Sequence, residues 1–385
     1  MDYKQCYTVL NESVSQFLGE EEVASTDLTG LVSMGLTVIS DLGEAGISDF
    51  LRGMVDRVYR IVTGVREYTP QADNILVDSA TYGAMLEKIY IEPTDAQENK
   101  SYSLQNGQTV DPFIVSLPKT NVKVFSNMDV WEIPYTITKK MLMSKFVNEN
   151  EYMTFVAFLE LQIRNSFELA VQNTKRWTIN NFIAKKVEYS KEDTAKGVHV
   201  VNLLAEYNTL TNTSLTVDNC YTNADFLRYC TNRMNVLKSK MSEYTRVFNT
   251  EQFARFTRPE DLRIDVQSDF AQACQSYLQS DVYHNELVAL PTYHEVAFWQ
   301  GSGTDFDRAE CQKIDIVTSD QKTVTVNGVV AFFHDIDALG VTIWDKTTTS
   351  QYNGRGEYTN FWNKANIGLF NDLSENAIVF IIANA

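Results

Sequence analysis

The side chains able to do chemistry in this sequence are few and scattered. Four histidines and five cysteines occur among 385 residues. His284 and His294 flank an apolar stretch with Glu286 and Glu295 close by, residue types that ligate divalent metals. A metal centre needs ligands that converge, whereas isolated polar residues beside turns are common, so no metal is expected. "HDID" (334–337) has the composition of an acid–base cluster, but it follows a strand ending at Phe333. A turn carrying a hydrogen-bonded histidine is expected there. "GSGTD" (301–305) follows "VAFW" and reads as a turn. Cys6, Cys220, Cys230, Cys274 and Cys311 are odd in number with no CxxC pair, the pattern of buried thiols in a reducing compartment. Phosphate-loop, dinucleotide, nucleophile-elbow, zinc-protease and calcium-loop patterns are all missing. Carboxylate pairs for glycosidase chemistry do not stand out from fifty acidic residues. The search for a catalytic site is negative, and neither an enzyme nor a cofactor is expected.

The elements that surround these residues carry more information. Fifty acidic against thirty-three basic residues give a net charge of −17, a surface that resists non-specific attachment to phosphate backbones. That argues against a DNA-binding regulator and does not exclude a container for DNA, which must not grip its cargo. No window approaches the ~20 apolar residues that cross a bilayer. The opening "MDYKQCYTVLNESVSQFLGEEE" lacks a basic start and an apolar core, so a protein made and used in a cytoplasm is expected. Residues 48–64 have helical spacing between a Ser48 cap and a Gly64 stop. Residues 66–141 hold five of the seven prolines, an Asn106-Gly107 turn signal and short runs such as "KIYIEP", "FIVSL" and "NVKVFS". They predict an excursion of strands and loops with little core of its own, covered by something else.

From Asn148, with Glu151 three residues on, a helical pattern runs unbroken to Lys186. Leu159, Ile163, Phe167 and Trp177 are its expected core stripe, and its length suits a strut. Basic residues gather near its end (Lys175, Arg176, Lys185, Lys186, Lys191, Lys196), where the helix dipole favours them. A contact with acidic neighbours or with enclosed DNA is the alternative. Helix and strand signals then alternate. "PEDLRIDVQSDFAQACQSY" predicts a strand entering a helix. "ELVALPTYHEVAFW" predicts strands around Pro291. "KTVTVNGVVAFFHDI" predicts a hairpin about Asn327-Gly328. "AIVFIIANA" predicts an apolar strand.

This order resembles the major capsid proteins of tailed phages, which share the Hong Kong 97-type fold. In texture it is most similar to the shell proteins of Picovirinae-type short-tailed phages. Two passages carry that likeness: "RPEDLRIDVQSDFAQACQSYLQSDVYHNELVALPTYHEVAFW" and "VVAFFHDIDALGVTIWDKTTTSQYNGRGEYTNFWNKANIGLF". The resemblance implies an α+β fold with an N-arm (1–30), a peripheral-domain helix region (31–65) and an extended E-loop (66–141). A peripheral domain with its spine helix (142–200), an axial domain (201–340) and return strands to the peripheral domain (341–385) follow. Phe361, Trp362 and Phe370, with Ile367 and Leu369, are then expected beneath the spine helix, with "AIVFII" completing the peripheral sheet. Arg66, Tyr68, Lys88, Tyr102, Lys119 and Trp131 are the expected contacts with neighbouring copies. No immunoglobulin-like C-terminal domain is expected. The arm is too short for a built-in scaffolding domain, so a separate scaffolding protein is implied. Lys88, Lys100 and Lys119 are available for Lys–Asn cross-linking, but nothing selects one and none is expected.

The implied function is a shell protein. Many copies, as hexamers and pentamers, close an icosahedral head with a portal protein and weakly contacted double-stranded DNA. No membrane is involved, and the virion is assembled in a host bacterial cytoplasm. An encapsulin-type nanocompartment shares the fold and is the alternative. A cytoplasmic α/β enzyme and a portal or tail protein are the more distant ones.

Overall fold

The computed structural model describes residues 75–78, 86–94, 96–125, 128–138, 149–192, 195–279, 290–300, 306–317 and 323–384. The expected N-terminal arm, the helix of residues 48–64, Arg66, Tyr68, Cys6, His284 and the 301–305 turn lie outside them. In chain order the elements begin with strands β1 (Leu76–Asp78), β2 (Leu86–Ile91), β3 (Thr120–Phe125) and β4 (Met128–Thr138). Helix α1 (Glu149–Ser190) follows, then β5 (Val200–Asn202), α2 (Leu203–Thr211), α3 (Val217–Cys220) and α4 (Ala224–Met241). Next come β6 (Leu262–Gln267), α5 (Ser268–Gln279), β7 (His294–Val296), α6 (Arg308–Cys311) and β8 (Ile314–Val317). The last strands are β9 (Thr323–Val326), β10 (Val329–Asp335), β11 (Leu339–Asn353), β12 (Tyr358–Asn371) and β13 (Ala377–Ile381).

Two larger sheets organise the chain. The first runs β1-β11-β12-β4, with a long β11–β12 hairpin at its middle and β1 parallel to β11. The second runs β5-β13-β10-β6-β7. Its central strand β10 is buried at every position, because both faces of the sheet are covered. On one side Ile378 and Phe380 of β13 pack with Phe226, Met234 and Phe270 of α4 and α5. On the other, Ala377 and Val379 join Phe182, Ile183 and Val187 of α1. The apolar run "AIVFI" is thus a strand with two cores, one on each side.

Helix α1 is 42 residues long, about 63 Å at 1.5 Å per residue. It spans both sheets. Phe167 and Val171 lie on Ala365 of β12, while Ile179 to Val187 sit deep beside β13 and β10. Leu159 and Ile163 are on the helix, but their side chains lie outside the described set.

Several expectations need correction. β13 does not complete the sheet that holds β11 and β12; it pairs with β10 and β5 in the other one. β4, inside the expected excursion, pairs along its length with β12 and is an integral strand of the first sheet. Residues 323–335 are not a hairpin, since β9 pairs with β8 while β10 pairs with β13 and β6. The Asn327-Gly328 signal serves another purpose. Gly328 has φ +71°, and an added Cβ would stand 2.1 Å from the carbonyl oxygen of Ile382. The glycine lets the chain pass between sheets while its own carbonyl accepts the Ile382 N–H at 2.8 Å. The strand-to-helix reading of residues 259–277 matches β6 and α5, where the Gln267 side chain caps the Phe270 N–H at 3.0 Å.

Candidate assembly surface

The β2–β3 hairpin projects from the first sheet and carries an unusual distribution of side chains. Strand periodicity puts Lys88, Tyr90 and Glu92 on one face with Asn121, Lys123 and Phe125. Ile89, Ile91, Val122 and Val124 share the other. The charged face is the one turned toward the rest of the chain. Lys88 pairs with Asp372 and Glu375 at 3.5 Å each, and Lys123 with Asp372 at 3.1 Å and with Glu251. Glu92 takes Arg246 at 2.6 Å, Lys119 at 3.3 Å and the Ala254 N–H at 3.3 Å. Burial alone would raise its carboxyl, yet these donors hold it below the usual range. Arg255 stacks on Tyr90 at 3.9 Å and pairs with Glu375. The apolar face is solvent-exposed, between 53% and 67% for its four aliphatic residues.

Beyond the strands, residues 96–99 and 101–119 are open to solvent. A short 3-10 turn (Lys100–Ser103) is capped by Asn99, and Gly107 at φ +92° turns the chain as its sequence predicts. Phe113, Ile114, Val115 and Leu117 are 72–85% exposed, and Tyr102 91%. Apolar side chains in series on an exposed loop form a patch that association would bury.

A second exposed apolar pair lies on α1. Leu169 and Trp177 sit two turns apart on one face, 62% and 50% exposed. Trp177 was expected in the core; instead Phe167, Val171 and Ile179 take the inward positions. Trp131, expected at a contact between copies, packs with Ile133 against the Phe167–Val171–Ala365 cluster. On β12, Phe361 is fully buried while Trp362, on the opposite face, is only partly covered, as a period of two demands. Phe370 is buried and packs against Phe125 of the hairpin. Lys88 is committed to its own chain, while Lys119 is 62% exposed on one side and paired to Glu92 on the other.

The groups that might do chemistry are mostly buried. Asp265 is buried on β6 between His294 Nδ1 at 3.1 Å and His334 Nε2 at 3.7 Å. Burial would raise this carboxyl; the hydrogen bond with His294 and the nearby His334 ring outweigh it and hold Asp265 below the ordinary range. His334 is the penultimate residue of β10, just before the expected turn at 336–337, and its Nδ1 lies 2.9 Å from the Asp335 carbonyl. A cavity of about 20 Å³ beside Asp265 has room for a water and little else. Among the described residues no three His, Cys, Asp or Glu side chains are grouped to hold a metal ion. Burial pushes the Cys220 and Cys274 thiols up to about 11 and 12, which leaves them protonated and unreactive at neutral pH. Lys186 is fully buried, donates to the Phe248 carbonyl at 2.8 Å, and is pushed down to about 7 by that burial. No helix among the described residues is long and apolar enough to cross a membrane.

The capsid structure of Staphylococcus phage Andhra is similar with a TM-score of 0.51 at 12% identity, covering 83% of this chain and 86% of that one. The capsid structure of the cyanophage P-SCSP1u has a TM-score of 0.46 at 11% identity, covering 83% and 90%. No curated protein sequence gives a significant match. The profile of the Phi29-like phage major capsid protein family matches residues 10–381, nearly the whole sequence. The chain belongs to that family, and its exposed hairpin and helix face are surfaces of a shell-forming capsid protein.

Proposed function

We propose that this protein forms the icosahedral head of a tailed double-stranded DNA phage through contacts in which residues 110–117 of one copy lie on the outward face of α1 of the next. The observation that carries this reading is the apolar series Phe113, Ile114, Val115 and Leu117, exposed with no partner surface among the described residues of its own chain. Leu169 and Trp177 offer a matching apolar strip on a rigid element. Loop-on-helix packing between unlike surfaces is heterologous, so each copy gives one contact and receives one, and rotation closes the ring. Hexamers and pentamers built this way need only small changes in loop angle. The hairpin corresponds to the E-loop and α1 to the spine helix. Residues around the β5-β13-β10-β6-β7 sheet form the axial unit. A separate scaffolding protein guides closure and a portal protein occupies one vertex, with assembly in the host bacterial cytoplasm. The acidic chain holds its packaged DNA without gripping it. No catalytic role is proposed.

The test is a Phe113→Ser/Leu117→Ser double variant, examined by light scattering and electron microscopy beside the parent protein with its scaffold. Folded subunits that no longer form shells are expected; shells of normal size and yield would refute the loop's role. A Trp177→Ser variant should weaken the same contact from the receiving side.

A further inference from the structure

The hairpin is an inside-out ribbon: its aliphatic face looks outward, and its inward face holds it to the body through charges and through two ring contacts, Tyr90 on Phe253 and Phe125 on Phe370. An element anchored by apolar burial is insensitive to salt, whereas one anchored by partly exposed ion pairs is not. We propose that the charges at the root of β2–β3 form a releasable latch, clipping the projecting arm to its own chain at neutral pH and low salt and freeing it when ionic strength or acidity rises.

The latch has two points. At the first, Lys88 and Lys123 both reach Asp372, and each adds a further acidic partner, Glu375 for Lys88 and Glu251 for Lys123. Lys88 also donates to the Asp337 carbonyl, and Asn121 donates to Glu251 at 2.9 Å. At the second, Glu92 is held by Arg246, Lys119 and the Ala254 N–H. Tyr90 lies between them, donating to the Ala254 carbonyl beneath the Arg255 guanidinium. The two lysines are 22–24% exposed, so water and counterions reach them, while Asp372 is 1% exposed.

The acidic side explains the response to protons. Asp372 and Glu375 lie in one turn, with Asp335 near enough to repel Glu375. Burial raises the carboxyls of Glu375 and Asp335, although Arg255 and Lys88 pull Glu375 the other way. Burial also opposes ionisation of Asp372, but Ser374, Lys88 and Lys123 outweigh it. When the arm leaves, two positive charges leave with it and the remaining carboxylates gain affinity for protons. Release is therefore coupled to proton uptake, and acid favours it.

Hydrogen exchange on full-length, unassembled subunits tests the latch. Protection of residues 86–125 should fall on the order of tenfold between low and high salt, and again between neutral and mildly acidic pH. Protection of β10 and β13 should stay constant over the same range. Lys88→Gln/Lys123→Gln should show the loosened hairpin at low salt with no further response, and Lys88→Arg/Lys123→Arg should restore it. Should the glutamine variant fail to fold, the salt titration of the parent protein and the arginine variant decide alone. A hairpin indifferent to salt and acid would overturn the proposal. So would a glutamine variant that keeps the parent response, or loss of β10 and β13 protection in step with the hairpin.

Discussion

Asp265 and Lys186 are charges placed where charge is costly, and each leaves a signature in stability against pH. Asp265 has a folded-state carboxyl held below its ordinary value, so its stabilisation is complete above the unfolded value near 4 and is lost as pH falls through the folded one. Asp265→Asn should lower the melting temperature at pH 7, with the gap to the parent protein narrowing below pH 4. Lys186 has the opposite sense. Its folded value is depressed to about 7, so the unfolded chain binds more protons than the native one between there and the ordinary lysine range. Stability contributed at this site therefore rises with pH across that window. Melting curves of Lys186→Met should lack that rise; a parallel rise in both proteins would mean the lysine is not its source. Phe167 is 7% exposed against Ala365. Phe167→Asp would bury an unpaired carboxylate at a cost of several kcal/mol, roughly 3 or more, and should abolish soluble subunits in an expression assay.

At the scale of elements, Gly328 is the tightest local requirement. Gly328→Ala adds a methyl at 2.1 Å from the Ile382 carbonyl oxygen and strains a positive φ, so a loss of about 2–4 kcal/mol in denaturant unfolding is expected. Deleting residues within 97–108 should leave the melting temperature nearly unchanged and block shell formation, because the described side chains of that segment are exposed. Helix α1 is legible in the sequence because a cap signal and forty residues without Pro or Gly leave no other period to fit. Its facing is less legible. Leu169 and Trp177 are as apolar as Phe167 and Val171, and hydrophobicity alone does not say which stripe is reserved for another molecule. The same ambiguity governs the hairpin. Alternation shows that Lys88 and Tyr90 share one face and Ile89 and Ile91 the other, but the usual rule turns the aliphatic face inward, opposite to what occurs. Asn327-Gly328 misleads for a different reason. A dipeptide suited to positive φ is needed for a tight hairpin, and equally for a glycine pressed against a neighbouring backbone.

Across the whole molecule the pairings are strongly non-local. β1 meets β11, β4 meets β12 along most of its length, and β5 pairs with β13 from the other side of the chain. None of these partnerships can be read from local sequence, since each strand's partner lies far from it along the chain. The family resemblance, in contrast, is legible because it rests on the order of parts rather than on any one contact. The position of β13 has a consequence for the timing of biosynthesis. The central strand β10 is flanked by β6, made before it, and by β13, made last of all the described strands. Until residue 381 has cleared the ribosome, one edge of β10 and both cores beside it stay open. A nascent subunit thus cannot reach its final form before β13 has emerged. Ribosome-bound chains stalled before residue 377 should be degraded by added protease at β6 and β10, while chains extended well past 385 by a linker should resist it.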